Sequence, residues 1–159
     1  MLTPEPLENF ILLSVQLCGI TSFDLVGTGY AQKYFTFVEE IVGGDRLCRM
    51  LDAFAALPTD PATRNTALQA AILNHPEFGP IARNITKLWY MATWFQLPPT
   101  WRLNFGAHPK DQSCIPFTYA YAESLVGPAT GAHPAGAKPT GHQSWALPPE
   151  YLPIPDECI

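Results

Sequence analysis

The sequence predicts an all-α fold, a compact bundle of about five helices followed by a proline-rich, irregular strap. Three observations predict it. Residues 7–57 contain no proline and repeat their apolar side chains at helical spacing. The glycines and prolines of the next stretch fall where helices start and stop. Of the 17 prolines, 11 lie from Pro98 onward, and seven of these share residues 128–159 with three glycines. The helical domain is placed at residues 1–126 and the strap at residues 127–159.

The first helix carries Leu7, Phe10, Ile11, Ser14, Leu17 and Cys18 at i, i+3, i+4, i+7 spacing, and Gly19 ends it. Leu12, Leu13 and Val15 widen the stripe, which predicts burial on more than one side. Asp24 is expected to cap a second helix that runs to Gly43-Gly44, with Leu25, Tyr34, Phe35, Val38, Ile41 and Val42 apolar. Gly27 and Gly29 within it are read as positions of close helix contact. The third helix has Leu47, Met50, Leu51, Phe54 and Leu57 on one face and Asp45, Arg49 and Asp52 mostly off it; Pro58 stops it. Asp60-Pro61 supplies the N-cap and first position of a fourth, with Leu68, Ala71 and Ile72 inward, and His75-Pro76 closes it. A fifth spans about 80–96, with Ile81, Ile85, Leu88, Trp89, Ala92 and Phe95 as its core stripe and Tyr90, Met91 and Trp94 on other sides. Pro98-Pro99 is expected to end it. Residues 100–116 read as an irregular connection, and Pro116 as the start of a short helix with Phe117, Tyr121, Ser124 and Leu125.

Composition narrows the function. Only 14% of residues are charged, against about 25% in an ordinary soluble domain, so part of the surface is expected to lie under a partner. The net charge of -5 and the scattered Lys and Arg exclude a nucleic-acid footprint. No apolar run is long enough to span a membrane, and Glu5 and Glu8 stand where a secretory signal needs positive charge. Cys18, Cys48, Cys114 and Cys158 form no CxxC pair, which leaves zinc unsupported. Cys18 and Cys48 are read as core thiols and the other two as loop cysteines, with two disulfides as the competing reading.

No catalytic constellation stands out. Three of the four histidines, His75, His108 and His133, precede proline and read with His142 as loop residues facing solvent. Gly27-Thr28-Gly29 lacks the third glycine and the strand of a dinucleotide site. Glu39 and Glu40 are adjacent on a helix and so diverge, and the sequon Asn84-Ile85-Thr86 falls inside a helix. Aromatic residues are the conspicuous feature. Trp89, Tyr90, Trp94 and Trp101 upstream, and Trp145, Leu147, Pro148, Pro149 and Tyr151 in the strap, are the candidate partner interface. Between Gln112 and Pro149 only Glu123 and Lys138 are charged. That composition suits a strap laid on a protein surface better than a solvated coil.

Several motifs, in order along the chain, resemble the small (gamma) subunit of bacterial FAD-dependent sugar dehydrogenase complexes, those of fructose, sorbitol and glucose dehydrogenase and of pyranoside 3-dehydrogenases. Asn9-Phe10-Ile11-Leu12-Leu13-Ser14 with Cys18-Gly19 is similar to that family's opening, and Phe23-Asp24-Leu25 and Tyr30 fit the next part of its pattern. Ile85-Thr86-Lys87-Leu88-Trp89-Tyr90, Tyr121-Ala122-Glu123-Ser124-Leu125 and Trp145-Ala146-Leu147-Pro148-Pro149 resemble its later elements. The resemblance implies a non-catalytic subunit without a cofactor of its own. Its implied partner is a large glucose-methanol-choline-type flavoprotein that holds FAD and oxidises the sugar, with a cytochrome c subunit as a further component. It implies a periplasmic site. The chain departs from the family in lacking a twin-arginine segment before Leu7, which keeps a cytoplasmic location open, and in the composition of residues 94–113 and 125–145. The competing readings are a stand-alone small helical enzyme or ligand-binding domain, which would need a convergent polar pocket, and a chaperone that releases its client.

Overall fold

Pro6 opens α1 (Pro6–Cys18) at a position where its missing N–H costs nothing, and Gly19 closes it with a left-handed φ of 69°. The computed structural model describes residues 5–106 and 108–131. Within them the architecture is all-α, with no strand and one isolated antiparallel bridge between Trp94 and Cys114. The helix α1 is central and packs on four other helices. It buries Phe10, Leu13 and Cys18, while Leu12 reaches solvent. Its buried Ser14 satisfies its hydroxyl by donating to the Phe10 carbonyl at 2.8 Å.

One expected helix is two. Thr21, not Asp24, is the N-cap of α2 (Ser22–Gly27). The Asp24 N–H donates to Thr21 Oγ1 at 3.2 Å and the Thr21 hydroxyl donates to the Asp24 carboxylate at 2.6 Å, a reciprocal capping arrangement. Gly29, with φ of 72°, then breaks the chain before α3 (Ala31–Val42). No heavy atom lies within 4 Å of where a Cβ would stand on Gly27 or Gly29. They serve a turn, and the expectation of close helix contact is corrected.

The α4 helix (Gly44–Ala55) buries Leu47, Met50, Leu51 and Phe54 as its spacing requires. Cys48, one step round from Leu47, falls outside that stripe and is exposed, so it is no core thiol. Pro61 opens α5 (Pro61–Leu68), which runs into a wide π turn at Gln69–Leu73 and turns Leu68 and Ile72 inward. In α6 (Phe78–Met91) Phe78, Ile81, Ala82, Ile85, Leu88 and Trp89 are buried. The larger of these side chains each contribute about 1.5–3 kcal/mol by leaving water.

The start of α6 is built by His75, whose Nδ1 accepts from the N–H groups of Glu77 (3.2 Å) and Phe78 (3.3 Å) while its ring stacks on Phe78. Gly79 is required by close approach: a Cβ there would sit 2.3 Å from the Leu73 carbonyl oxygen. The helix ends earlier than its apolar pattern suggests. Ala92 adopts a left-handed φ of 51° and reverses the chain. Trp94 thereby becomes fully buried and Phe95, expected in the core, is exposed.

Pro98-Pro99 opens a helix as well as separating two. Pro99 is the first residue of α7 (Pro99–Phe105), which corrects the expectation of an irregular connection there. A 3-10 turn at Ala120–Glu123 and the short α8 (Val126–Thr130) complete the described chain, and α8 crosses the boundary expected at residue 126. The packing of α1 on α2, α3, α4 and α6 gathers these apolar faces into one core. No helix among the described residues is long and apolar enough to cross a membrane.

Two buried carboxylates bind distant segments together. Glu77 accepts from Arg46 Nε (2.8 Å) and, through both oxygens, from Arg49 (2.8 and 2.9 Å). Arg46 also donates to the carbonyls of Val42 and Phe105, and the Glu77 carbonyl accepts the Trp101 indole N–H at 2.8 Å. Asp111 accepts from Trp94 Nε1 at 2.9 Å and from the Leu97 N–H at 3.2 Å, with Arg102 Nε 3.3 Å away. These contacts pin α7 and the 108–113 turn to the bundle.

Candidate partner-binding face

The α3 helix and the residue before it present Tyr30, Tyr34 and Phe37, at i, i+4 and i+7, to a single ring, that of Phe117, at centroid distances of 6.0, 5.9 and 6.1 Å. Trp89 on α6 meets Tyr34 edge-on at 4.9 Å. The Leu125 N–H donates to the Trp89 carbonyl at 3.1 Å, and Trp94 and Cys114 exchange backbone hydrogen bonds at 2.9 and 3.0 Å. Residues 114–126 are thus strapped across the junction of α3 with the C-terminal end of α6. Tyr90 joins the same end by donating its hydroxyl to the Cys18 carbonyl at 2.8 Å.

Ile115, Tyr119, Tyr121 and Val126 are exposed in this segment, and Phe23 and Val26 are exposed on α2, the element leading into Tyr30. Tyr119 is 83% exposed and Phe23 84%, values that leave nearly a whole aromatic side chain in water. Residues 112–131 include a single charged residue, Glu123, while α2 carries the exposed Asp24 between Phe23 and Val26. Leu103 on α7 is 85% exposed, and Leu12, Met91 and Phe95 also reach solvent. Exposed aromatic side chains of this size are candidates for contact with another protein.

The aromatic residues singled out in the sequence are placed differently. Trp89, Trp94 and Trp101 are 1%, 0% and 4% exposed, and Tyr90 is half-buried. The three indoles fill the chain's own interior and offer a partner no surface, a correction with a physical cause. The Ala92 reversal folds Trp94 inward, and the indole N–H groups of Trp94 and Trp101 are satisfied by Asp111 and the Glu77 carbonyl. Trp145, Leu147, Pro148, Pro149 and Tyr151 lie outside the described residues. Phe23 and Tyr119, the most exposed aromatic residues among those described, were not among the candidates. Phe23 had a signal, since it precedes Leu25 by two on a helix and so cannot share its buried face.

Several polar groups elsewhere are committed to structure, whereas the buried Trp89 Nε1 and Ser124 Oγ have no hydrogen-bond partner among the described residues. Burial pushes the Cys18 thiol up to about 12, which keeps it protonated; Cys48 and Cys114 are free and exposed. His75 caps α6, and His108 Nδ1 accepts from the Lys110 N–H at 3.3 Å. No group of three His, Cys, Asp or Glu side chains placed to hold a metal ion occurs among the described residues. An open depression of about 380 Å³ lies between Val42 and Arg49, but its two guanidinium groups are already bonded to Glu77. No protein-family model, no curated protein and no solved structure matches this chain.

Proposed function

We propose that this chain is a non-catalytic accessory subunit that binds and stabilises a larger FAD-containing sugar or glycoside dehydrogenase of the glucose-methanol-choline type. The resemblance in its ordered motifs suggests the class of partner. The observation that supports the reading is the exposure of large apolar side chains, Phe23 and Val26 on α2 and Ile115, Tyr119 and Tyr121 beyond α7, of a kind suited to contact with protein. The tail, with Trp145, Leu147 and Tyr151, extends the same chemistry along the sequence. FAD belongs to the partner in this reading, a cytochrome c subunit would accept its electrons, and the complex would work in the periplasm.

Co-expression with a flavoprotein encoded beside this chain tests the proposal. A yellow complex that copurifies in fixed proportion, with flavin absorbance and sugar-dependent dye reduction, is the expected result. Soluble, active flavoprotein made equally well without this chain, and never retained by it, would overturn the proposal.

A further inference from the structure

Residues 117–125 lie on the bundle with few ties to it. Their backbone hydrogen bonds are mostly internal: the Ala120 N–H donates to the Phe117 carbonyl at 3.0 Å and the Ser124 N–H to the Tyr121 carbonyl at 3.1 Å. Among the described residues, one backbone bond runs from this segment to the preceding helices, from the Leu125 N–H to the Trp89 carbonyl at 3.1 Å. The Phe117 ring against Tyr30, Tyr34 and Phe37 is the main apolar anchor, and Ala120 and Leu125 are buried as well. The same seam holds two polar side chains that closure leaves unpaired. Ser124 in the segment and Trp89 on the helix end below it are 2% and 1% exposed, yet neither Ser124 Oγ nor Trp89 Nε1 has a partner among the described residues. The other buried indoles, Trp94 and Trp101, both find acceptors. A buried group without a partner keeps the whole cost of losing its water. Few ties laid over unpaired polar atoms put this segment at the low end of local stability.

We propose that residues 117–125 are a lid that opens as a unit from α3 and α6 while the bundle stays folded, baring the aromatic pair Tyr34 and Trp89. Cys114, held by its two backbone bonds to Trp94, is the fixed point upstream. Opening breaks the Leu125 bond and withdraws the Phe117 ring from α3. In return water reaches Ser124 Oγ and Trp89 Nε1, which offsets part of the loss. The open form is a minor state of the native protein. It displays an indole donor beside a tyrosine ring, a surface that the closed form keeps inside. The lid stands on the packing of this chain alone and does not depend on the accessory-subunit reading.

Native-state hydrogen exchange on the full chain, followed by NMR at several urea concentrations below the unfolding transition, tests the lid. The Leu51 amide, in the middle of α4, reports global unfolding. Corrected for intrinsic rates, the Leu125 amide and the Trp89 indole proton should exchange together, at least about a hundredfold faster than the Leu51 amide and with a much shallower urea dependence. Two mild variants separate the lid from the bundle. Ile72→Val, in the core and outside the lid, should speed the Leu51 amide about fivefold and leave the Leu125 amide unchanged. Ser124→Ala removes an unpaired hydroxyl and should slow the Leu125 amide about fivefold. A Leu125 amide as protected as that of Leu51, with the same urea slope and the same response to Ile72→Val, would overturn the lid. An indole proton that stays protected after the Leu125 amide has exchanged would refute the baring of Trp89. Unchanged or faster Leu125 exchange in Ser124→Ala would refute the unpaired hydroxyl as a cause of opening.

Discussion

Replacing Glu77 with Gln should cost stability in a way that depends on pH. The Glu77 carboxyl group is 10% exposed and is held down from the ordinary 4.5 to about 2, first by its hydrogen bonds to Arg49 and also by Arg46, against a desolvation cost that pulls the other way. A carboxyl group with a lower value in the folded than in the unfolded state stabilises the fold above the unfolded value, and that stability drains away as the pH falls through the folded one. The fall from 4.5 to about 2, at 1.36 kcal/mol per pH unit, gives at most about 3.4 kcal/mol. Arg49 is 57% exposed, so water screens its share, and about 2 kcal/mol is the better expectation. Urea unfolding of wild type and Glu77→Gln at pH 7, 4.5, 3 and 2 measures this. The variant should be weaker by about 2 kcal/mol at pH 7 and the two should converge toward pH 2. Other carboxylates titrate in both proteins, so only the difference reports Glu77. A gap that stays constant across the whole range would refute the reasoning.

The same contacts set further expected outcomes. Gly79→Ala gains about 1 kcal/mol of helix propensity yet drives a methyl group to 2.3 Å from a backbone oxygen that cannot swing away. A net loss of about 1–3 kcal/mol in denaturant unfolding is expected, and a neutral result would show that the π turn yields. Asp111→Ala strips the acceptor from the buried Trp94 indole and the Leu97 N–H and unpairs Arg102. It should cost about 2–4 kcal/mol and shift Trp fluorescence; Asp111→Asn should recover part of the loss. Phe23→Ser with Tyr119→Ser touches only exposed side chains, so melting should change little while retention of the proposed flavoprotein partner falls at least about tenfold. Unchanged retention would remove this face from the interface.

Helices were legible where a periodic stripe met an unambiguous stop. The stripe 47, 50, 51, 54 and the stop at Gly19 need nothing beyond local geometry, and both are present. Boundaries that depend on tertiary pull were not legible. The pattern Ile81, Ile85, Leu88, Ala92, Phe95 is good helical spacing, yet the helix ends at Ala92 in a conformation that costs an alanine about 1–2 kcal/mol. The reversal puts Trp94 against Phe37 and hands its N–H to Asp111, two contacts made to residues 57 and 17 positions away. Sequence windows see the local cost and not the distant gain. The same blindness hid α7, where a Pro-Pro pair ends one element and starts the next with equal propriety.

Aromatic residues show why a partner surface is hard to place from sequence. Trp is enriched both in cores and at interface hot spots, because in each a large apolar ring meets an acceptor for its N–H. Density of Trp therefore does not distinguish inside from outside, and Trp89, Trp94 and Trp101 are inside. Phase is the discriminating variable. On α2 the buried Leu25 fixes the inward direction, and Phe23, two residues back and about 200° round the helix, must face away from it. In residues 114–126 the inward direction is set by Phe117, Ala120 and Leu125, which leaves Tyr119 and Tyr121 on the far side of the turn. An aromatic residue out of phase with a strong buried neighbour is a better mark of a binding surface than a cluster of tryptophans. By that criterion Phe23 on α2 and Tyr119 and Tyr121 beyond α7 are the aromatic residues to test first as contacts with another protein, ahead of Trp89, Trp94 and Trp101.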